Sequence, residues 1–72
     1  MKKINKIEIY VNGKKTLIDG RIKLSKLIKD FKIPIKKVAI EINQRIINKK
    51  HANIINLKRY DKIEIVHFIG GG

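Results

Sequence analysis

Side chains able to do chemistry are few in this chain of 72 residues. It has no cysteine, and Thr16 and Ser25 are its only serine or threonine residues. Neither is close in sequence to His51 or His67, and these histidines form no HxxH or HxxE pair of the kind that binds zinc. The acidic residues are also not paired for acid–base work. We therefore expect no catalytic site, no metal site and no cofactor site in this chain, because nucleophilic catalysis needs a nucleophile beside a base.

The other group that could react is the backbone carboxylate where the sequence ends. The last residues are Gly70, Gly71 and Gly72, and glycine loses more backbone freedom on ordering than any other residue. A glycine run therefore gains nothing in a strand, but it lets a backbone pass through a narrow slot. We interpret Gly70 and Gly71 as a tail that threads a partner's active site and presents the Gly72 carboxylate for reaction. A cloning remnant or an unstructured end is the alternative.

The composition is strongly basic, with a formal net charge of +12. Such a chain can bind nucleic acid or an anionic membrane surface. However, Ile, Lys and Asn, which all have AT-rich codons, make up 38 of the 72 residues, and no run of basic residues exceeds two. We therefore attribute the charge to compositional bias and expect neither nucleic acid nor a membrane as a partner. Because the chain lacks a signal peptide and an apolar run long enough to span a bilayer, we expect it in the cytoplasm.

A β-hairpin is predicted near the start of the chain. Apolar residues alternate with other residues over Lys6–Val11, which is typical of a half-buried strand, and the Asn-Gly pair that follows is a strong hairpin signal. The return strand is Lys14–Ile18. A two-residue loop would turn Ile18 inward and leave Leu17 exposed, whereas a bulge would reverse these two residues. Both arrangements stay open at this point.

A helix is predicted over Lys23–Phe31, because apolar residues follow a helical spacing at Leu24, Leu27, Ile28 and Phe31. Lys23 lies where a capping side chain is expected, and its positive charge opposes the helix dipole. Pro34 helps to prevent the helix from continuing.

Three further strands are predicted in the second half of the chain. They cover Val38–Ile42, Arg45–Ile47 and Lys62–Phe68, with an Asn-Gln turn between the first two. The segment 48–61 is irregular and polar, with apolar anchors at Ile54, Ile55 and Leu57.

The order of elements predicts an α+β roll, in which one helix lies across one face of a mixed sheet of four or five strands. The core is expected to contain Ile7, Ile9, Val11, Val38, Ile40, Ile42, Ile63 and Ile65 packed on Leu24, Leu27, Ile28 and Phe31. Strand alternation places another set of residues on the free face, namely Glu8, Tyr10, Glu41, Glu64, Val66 and Phe68. We interpret this free face as a docking surface, with Tyr10, Glu64, Val66 and Phe68 as its main residues. Pairing of its acids with neighbouring lysines is the alternative.

Two stretches resemble the ThiS family of sulfur carriers, within the ubiquitin-like β-grasp superfamily. The first is Val-Ala-Ile-Glu-Ile-Asn at 38–43 with Ile46-Ile47, and the second is Asp-Lys-Ile-Glu-Ile-Val-His-Phe-Ile-Gly-Gly-Gly at 61–72. The resemblance covers nearly the whole chain and implies a single β-grasp domain over 1–72, with a flexible glycine tail at 70–72. The family usually has glycine where this chain has Tyr60, and threonine or serine where it has Lys23. Tyrosine is strained at position 60 if the turn there needs a positive φ.

The resemblance also implies a function. A partner enzyme resembling the E1 class would use ATP and magnesium to adenylate the Gly72 carboxylate, and sulfur from a cysteine-persulfide donor would then displace AMP. The resulting thiocarboxylate would be delivered to thiazole synthase for thiamine biosynthesis. The chain would thus be a protein co-substrate, not an enzyme, and we expect it to be monomeric when alone.

Three alternatives stay open. The small subunit of molybdopterin synthase shares the fold and the thiocarboxylate chemistry, but such chains tend to carry a proline just before the terminal glycines, where this chain has Phe68-Ile69. A ubiquitin-like modifier needs the same activated tail. A small basic RNA-binding domain would need an aromatic stacking platform, and this chain has only four aromatic residues of the Phe and Tyr type.

Overall fold

The computed structural model describes residues 5–68. Its strands are β1 (Lys6–Val11), β2 (Lys14–Asp19), β3 (Val38–Ile42), β4 (Arg45–Ile46) and β5 (Lys62–His67); its helix is α1 (Leu24–Asp30), and short 3-10 turns cover Ile35–Lys37 and Lys49–His51. The strands form one sheet in the order β2-β1-β5-β3-β4. Strands β1 and β5 run parallel and the other neighbours run antiparallel, which confirms the expected α+β roll, with five strands within residues 5–68.

The β1–β2 hairpin has the two-residue loop. Val11 lies opposite Lys14, and the loop residues Asn12 and Gly13 both have positive φ, 52° and 80°. This is the geometry of a type I′ turn, which matches the twist of the strands and suits the Asn-Gly pair. As a result Ile18 is buried and Leu17 is exposed, so the bulged alternative is excluded.

The core lies between α1 and one face of the sheet. Its fully buried side chains are Ile9, Leu24, Leu27, Val38, Ile40 and Ile63. Ile7, Ile18, Ala52 and Leu57 are also buried in this cluster, and Val11, Ile28, Ile42, Ile55 and Ile65 are partly buried against it. The face assignments made from strand alternation are therefore confirmed.

Two apolar residues expected to be buried are exposed, namely Phe31, predicted in the core, and Ile54, predicted as an anchor of segment 48–61. The prediction for Phe31 is wrong: it is 46% exposed, because it is the C-cap, with ψ of 2°, and the helical spacing ends one residue before it. Ile33 and Ile35, in the chain that follows, pack against the core instead. The prediction for Ile54 is also wrong, since the turn at 51–54 leaves its side chain exposed while Ala52 is buried.

Both ends of α1 are fixed by backbone groups. Lys23 is the N-cap and makes no capping hydrogen bond with its side chain; instead Leu24 N donates to Ile55 O and Ser25 N donates to Ala52 O, both at 2.9 Å. At the other end Lys32 has a φ of 53°, and its N–H and that of the next residue donate back into the helix, as in a Schellman motif. The helix has therefore already ended before Pro34.

The glycine tail at 70–72 lies outside the described residues, so its flexibility stays a prediction. None of the helices within residues 5–68 has the length and apolar character that a membrane-spanning helix needs.

Candidate functional site

The candidate site is the end of β5, from which the glycine tail continues. Strand β5 lies in the centre of the sheet, between β1 and β3. Its pairing with the β3 side continues one residue beyond the strand, because Phe68 N donates to Lys37 O at 2.9 Å. The sheet thus holds the chain up to the residue that precedes the last four.

A lysine side chain also contacts Phe68, the last residue that the structure describes. The ammonium of Lys49 lies 5.4 Å from the centroid of the Phe68 ring, within the range of a cation–π interaction. The same ammonium donates hydrogen bonds to Ile35 O at 2.7 Å and to Val38 O at 2.5 Å. Nothing in the periodicity of the sequence indicated this contact.

The free face of the sheet carries the residues predicted for docking. Val66 lies opposite Ala39 and Glu64 lies opposite Glu41 in the β3–β5 pairing, while Tyr10 lies beside Lys62 in the β1–β5 pairing. Strand alternation therefore places Tyr10, Glu64 and Val66 on the same face, away from α1. Phe68 follows the strand and is 55% exposed.

Two further exposed apolar residues belong to this face. Ile46 is 76% exposed opposite Glu41, and Leu17 is 63% exposed opposite Glu8. Ile46 is absent from the free face predicted from the sequence, although the alternation of Arg45 and Ile46 after the turn carried that signal. The face on which Leu17 lies depends on the type of hairpin loop. The sequence left the loop type open, and the structure shows the two-residue loop.

The acids of the free face differ in their partners. The Tyr10 hydroxyl donates to Glu8 Oε2, and Lys15 Nζ lies 3.5 Å from Glu8 Oε1. The hydrogen bond from Tyr10, aided by the charge of Lys15, holds the pKa of Glu8 below its ordinary value. The same hydrogen bond raises the pKa of Tyr10, so the hydroxyl stays protonated and remains the donor. For Glu8, the alternative of cross-strand pairing with a lysine is therefore correct.

Glu41 and Glu64 present the opposite situation. They lie directly across from each other on β3 and β5, a position in which like charges destabilise a sheet. Within the described part of the chain neither carboxylate forms an ion pair. Of the three acids, only Glu8 has an ion-pair partner within residues 5–68.

A polar turn fixes where β5 begins. The buried Asp61 carboxylate accepts from Asn43 Nδ2 at 3.0 Å and from Lys58 N at 2.8 Å, while Asn43 Oδ1 accepts from Lys62 N at 2.9 Å. The sequence gives no sign of the bond between Asp61 and Asn43, because the two residues are distant in sequence.

Tyr60, in the same turn, has a φ of 69°, which confirms the strain expected at this position. Tyr60→Gly is expected to stabilise the protein by roughly 0.5–1 kcal/mol, since glycine adopts positive φ without the Cβ penalty but loses more backbone entropy. The free energy of unfolding in urea measures this change. Tyr60→Ala is the control, because it removes the exposed ring but keeps the Cβ and should give no gain. An equal gain from alanine would place the effect in the ring and not in the backbone.

Between residues 5 and 68, no group of three or more His, Cys, Asp or Glu side chains is arranged to hold a metal ion.

Comparison with known proteins gives a consistent family. The model of the ThiS family matches residues 3–72. A sulfur carrier protein ThiS from Bacillus subtilis is 41% identical over 46 residues, covering 64% of this chain and 70% of that protein. A protein named thiazole synthase from Magnetococcus marinus is 32% identical over 66 residues, which cover 92% of this chain; the chain spans only 20% of that longer protein.

The fold agrees with the same family. A crystal structure of the thiamine biosynthesis protein ThiS from Geobacter metallireducens superposes with a TM-score of 0.81, at 25% identity, covering 92% of this chain and 100% of the other. The ubiquitin-like β-grasp fold is thereby confirmed. With the family model matching nearly all of its residues, this chain belongs to the ThiS family.

Proposed function

We propose that this chain is a sulfur carrier of thiamine biosynthesis, in which the carboxylate of Gly72 is the group that is activated and converted to a thiocarboxylate. The observation that carries this proposal is the position of the glycine run. The run begins at Gly70, two residues after Phe68. Phe68 follows the central strand β5, and its backbone N–H donates to Lys37 O. Membership of the ThiS family supports the same conclusion.

The proposed chemistry starts from a carboxylate, which is a poor electrophile. A Gly72 carboxylate oxygen attacks the α-phosphorus of ATP, pyrophosphate leaves, and an acyl adenylate forms. The terminal sulfur of a cysteine persulfide then attacks the acyl carbon and AMP leaves. A second thiol breaks the S–S bond to the donor, so that a disulfide forms and the thiocarboxylate remains on Gly72.

In this proposal the ATP and magnesium sites belong to the adenylating partner. The chain contributes a rigid base and a reacting end group, and it acts as a co-substrate. Gly70 and Gly71 supply a backbone without Cβ atoms that can pass through a narrow channel.

Docking to the adenylating enzyme is proposed on the free face of the sheet. Val66 and Phe68 supply exposed apolar area beside the origin of the tail. Tyr10 and Glu64 line an open depression on this face together with Gly13 and Lys62. Because the Glu41 and Glu64 carboxylates have no ion pair among the described residues, basic groups of the partner are the complementary chemistry.

Thiazole synthase is the proposed acceptor of the sulfur. The Magnetococcus marinus protein of that name contains, within about one fifth of its length, a segment similar to nearly all of this chain. A carrier-like segment in the same polypeptide as a synthase is the arrangement expected if the two act on the same sulfur.

The decisive experiment is intact-mass analysis after incubation with ATP, magnesium, the cognate adenylating enzyme and a persulfide donor. The expected product carries one sulfur in place of one oxygen, and fragmentation places the change on Gly72. Omission of ATP and deletion of Gly71-Gly72 are the controls, and neither should give the product. Supplying the product to thiazole synthase or to molybdopterin synthase components then separates the two pathways. An unchanged mass with all components active would exclude carrier function.

A further inference from the structure

A half-buried ammonium joins three segments of the chain where the tail leaves the sheet. Lys49 lies in the 3-10 turn after β4, and its Nζ donates to Ile35 O and to Val38 O. A lysine ammonium has three donors. Two of them are directed at these carbonyls, and the ammonium lies 5.4 Å from the centroid of the Phe68 ring. No carboxylate within residues 5–68 is in ion-pair distance of it.

Lys49 and Phe68 hold the same short segment of backbone. The carbonyls of Ile35 and Val38 accept from Lys49, and the carbonyl of Lys37, which lies between them, accepts from Phe68 N. The segment 35–38 is therefore bonded by the lysine at both of its ends and by Phe68 near its middle. The Phe68 ring then closes the arrangement against the ammonium.

The geometry at Phe68 matters because Gly72, the residue proposed to react, lies four residues beyond it. Three of these four residues are glycine. Fully extended, they reach about 13–14 Å from Phe68 to Gly72. Glycines add little directional preference of their own, so the direction in which the tail starts is set by the residue at its base.

We propose that Lys49 is a positioning residue for the activation of Gly72. By fixing Phe68 against segment 35–38, Lys49 sets the direction in which the tail leaves the sheet. It thereby raises the fraction of docked carriers whose Gly72 carboxylate reaches the α-phosphorus of ATP. This inference rests on the proposed function as a sulfur carrier. Lys49 itself touches neither the reacting carboxylate nor ATP in this scheme.

The kinetic test is the adenylation rate of Lys49→Met with the cognate adenylating enzyme. Methionine keeps an apolar stem of similar length but removes the ammonium. We expect kcat to fall about tenfold, because misorientation of a reacting group lowers the chemical step. KM for the carrier should rise by a smaller factor, because Phe68 is also a proposed docking residue. Lys49→Arg, which keeps a cation able to donate to carbonyls and stack on a ring, should restore most of kcat.

Lys50→Met is the matched control. It makes the same change of charge one residue away, at an exposed side chain, and should leave both kcat and KM unchanged. Equal effects of Lys49→Met and Lys50→Met would overturn the proposal. A rise in KM with unchanged kcat would also overturn it, because that result would place Lys49 in docking.

An independent readout uses the free carrier and no partner. In the wild-type protein, the ring current of Phe68 should shift the Lys49 Hε resonances upfield. In Lys49→Met, the Phe68 amide should lose order while amides of β1 and β3 keep theirs. An unshifted Lys49 Hε signal would overturn the proposed contact between Lys49 and Phe68 even if sulfur transfer is confirmed.

The NMR and kinetic measurements together distinguish failure of the Lys49 proposal from failure of the proposed function. A shifted signal in a carrier that is never adenylated would instead refute the proposed function. Should Lys49→Met prove unfolded by its amide spectrum, Phe68→Leu removes the ring while keeping both lysine–carbonyl bonds. It should abolish the upfield shift, and persistence of the shift would contradict the assignment.

Discussion

Replacing Gly71 with leucine is expected to abolish formation of the thiocarboxylate while leaving the melting temperature nearly unchanged. The reason is steric: a side chain at this position would widen a backbone that must pass through a narrow slot, and it would remove conformations that only glycine adopts. The fold should not respond, because the tail follows the last strand and glycine has no side chain to contribute to the core. Intact mass after the activation reaction and thermal unfolding followed by circular dichroism measure the two effects.

Gly71→Ala is the control that tests how thiocarboxylate formation depends on the size of the side chain at position 71. A methyl group should leave some transfer where leucine leaves none. Affinity for the adenylating enzyme, measured without ATP, should be retained if the free sheet face supplies most of the docking contacts. Full transfer by Gly71→Leu would mean that the tail is not threaded, and a large fall in melting temperature would mean that it is part of the folded structure.

Phe68→Ala is expected to weaken binding to the adenylating enzyme by more than about 1 kcal/mol, because exposed aromatic residues near the centre of an interface supply much of its binding energy. Its effect on folding should be smaller, since the side chain is more than half exposed. Isothermal titration calorimetry with the partner and urea unfolding of the free protein give the two quantities.

Phe31→Ala is the matched control for binding. It removes the same side chain from an exposed position at the end of α1, on the other side of the sheet, so binding should not change. Ile63→Ala is the reference for folding and should cost about 2–5 kcal/mol, because its side chain is fully buried in the core. Loss of binding in Phe31→Ala would move the interface to the helix side.

The fold was predictable where a local sequence pattern matched the burial of the same residues in the folded protein. Period-two alternation assigned Ile9, Ile40 and Ile63 to the core, and the Asn-Gly pair located the first hairpin. Such patterns report which way a side chain points but not how much of the core covers it. Ile65 shows this limit: it has the same orientation as Ile63 but is only partly buried, because it lies farther along β5.

The prediction that Phe31 lies in the core was wrong for a related reason. Helical spacing identifies a face only while the backbone is helical, and α1 ends one residue earlier at a Schellman motif with Lys32 in the left-handed region. Lysine is not a residue that marks such an ending, since glycine is the usual one. The sequence therefore carried no clear sign of where the helical spacing stops.

The reacting group of the candidate site was predictable from the sequence, but the contacts that hold the end and the start of β5 were not. Gly72 stands out by residue type, and the free face follows from alternation. The contact between Lys49 and Phe68, and the bonds between Asn43 and Asp61, join residues 18 or 19 apart in sequence. Long-range polar contacts of this kind have no periodicity, so only the folded chain brings them together.

In the proposed docking mode, the opposition of Glu41 and Glu64 also affects how long the complexes of the carrier last. Exposed carboxylates facing basic groups raise the rate of association more than they prolong the bound state. A carrier that must leave one enzyme before it reaches the next benefits from that division, since a long residence time would hold it at the first. We expect encounter to be fast and to slow as salt is added, while dissociation stays nearly constant. The like-charge pair would thus favour turnover between enzymes at a small cost in the stability of the sheet.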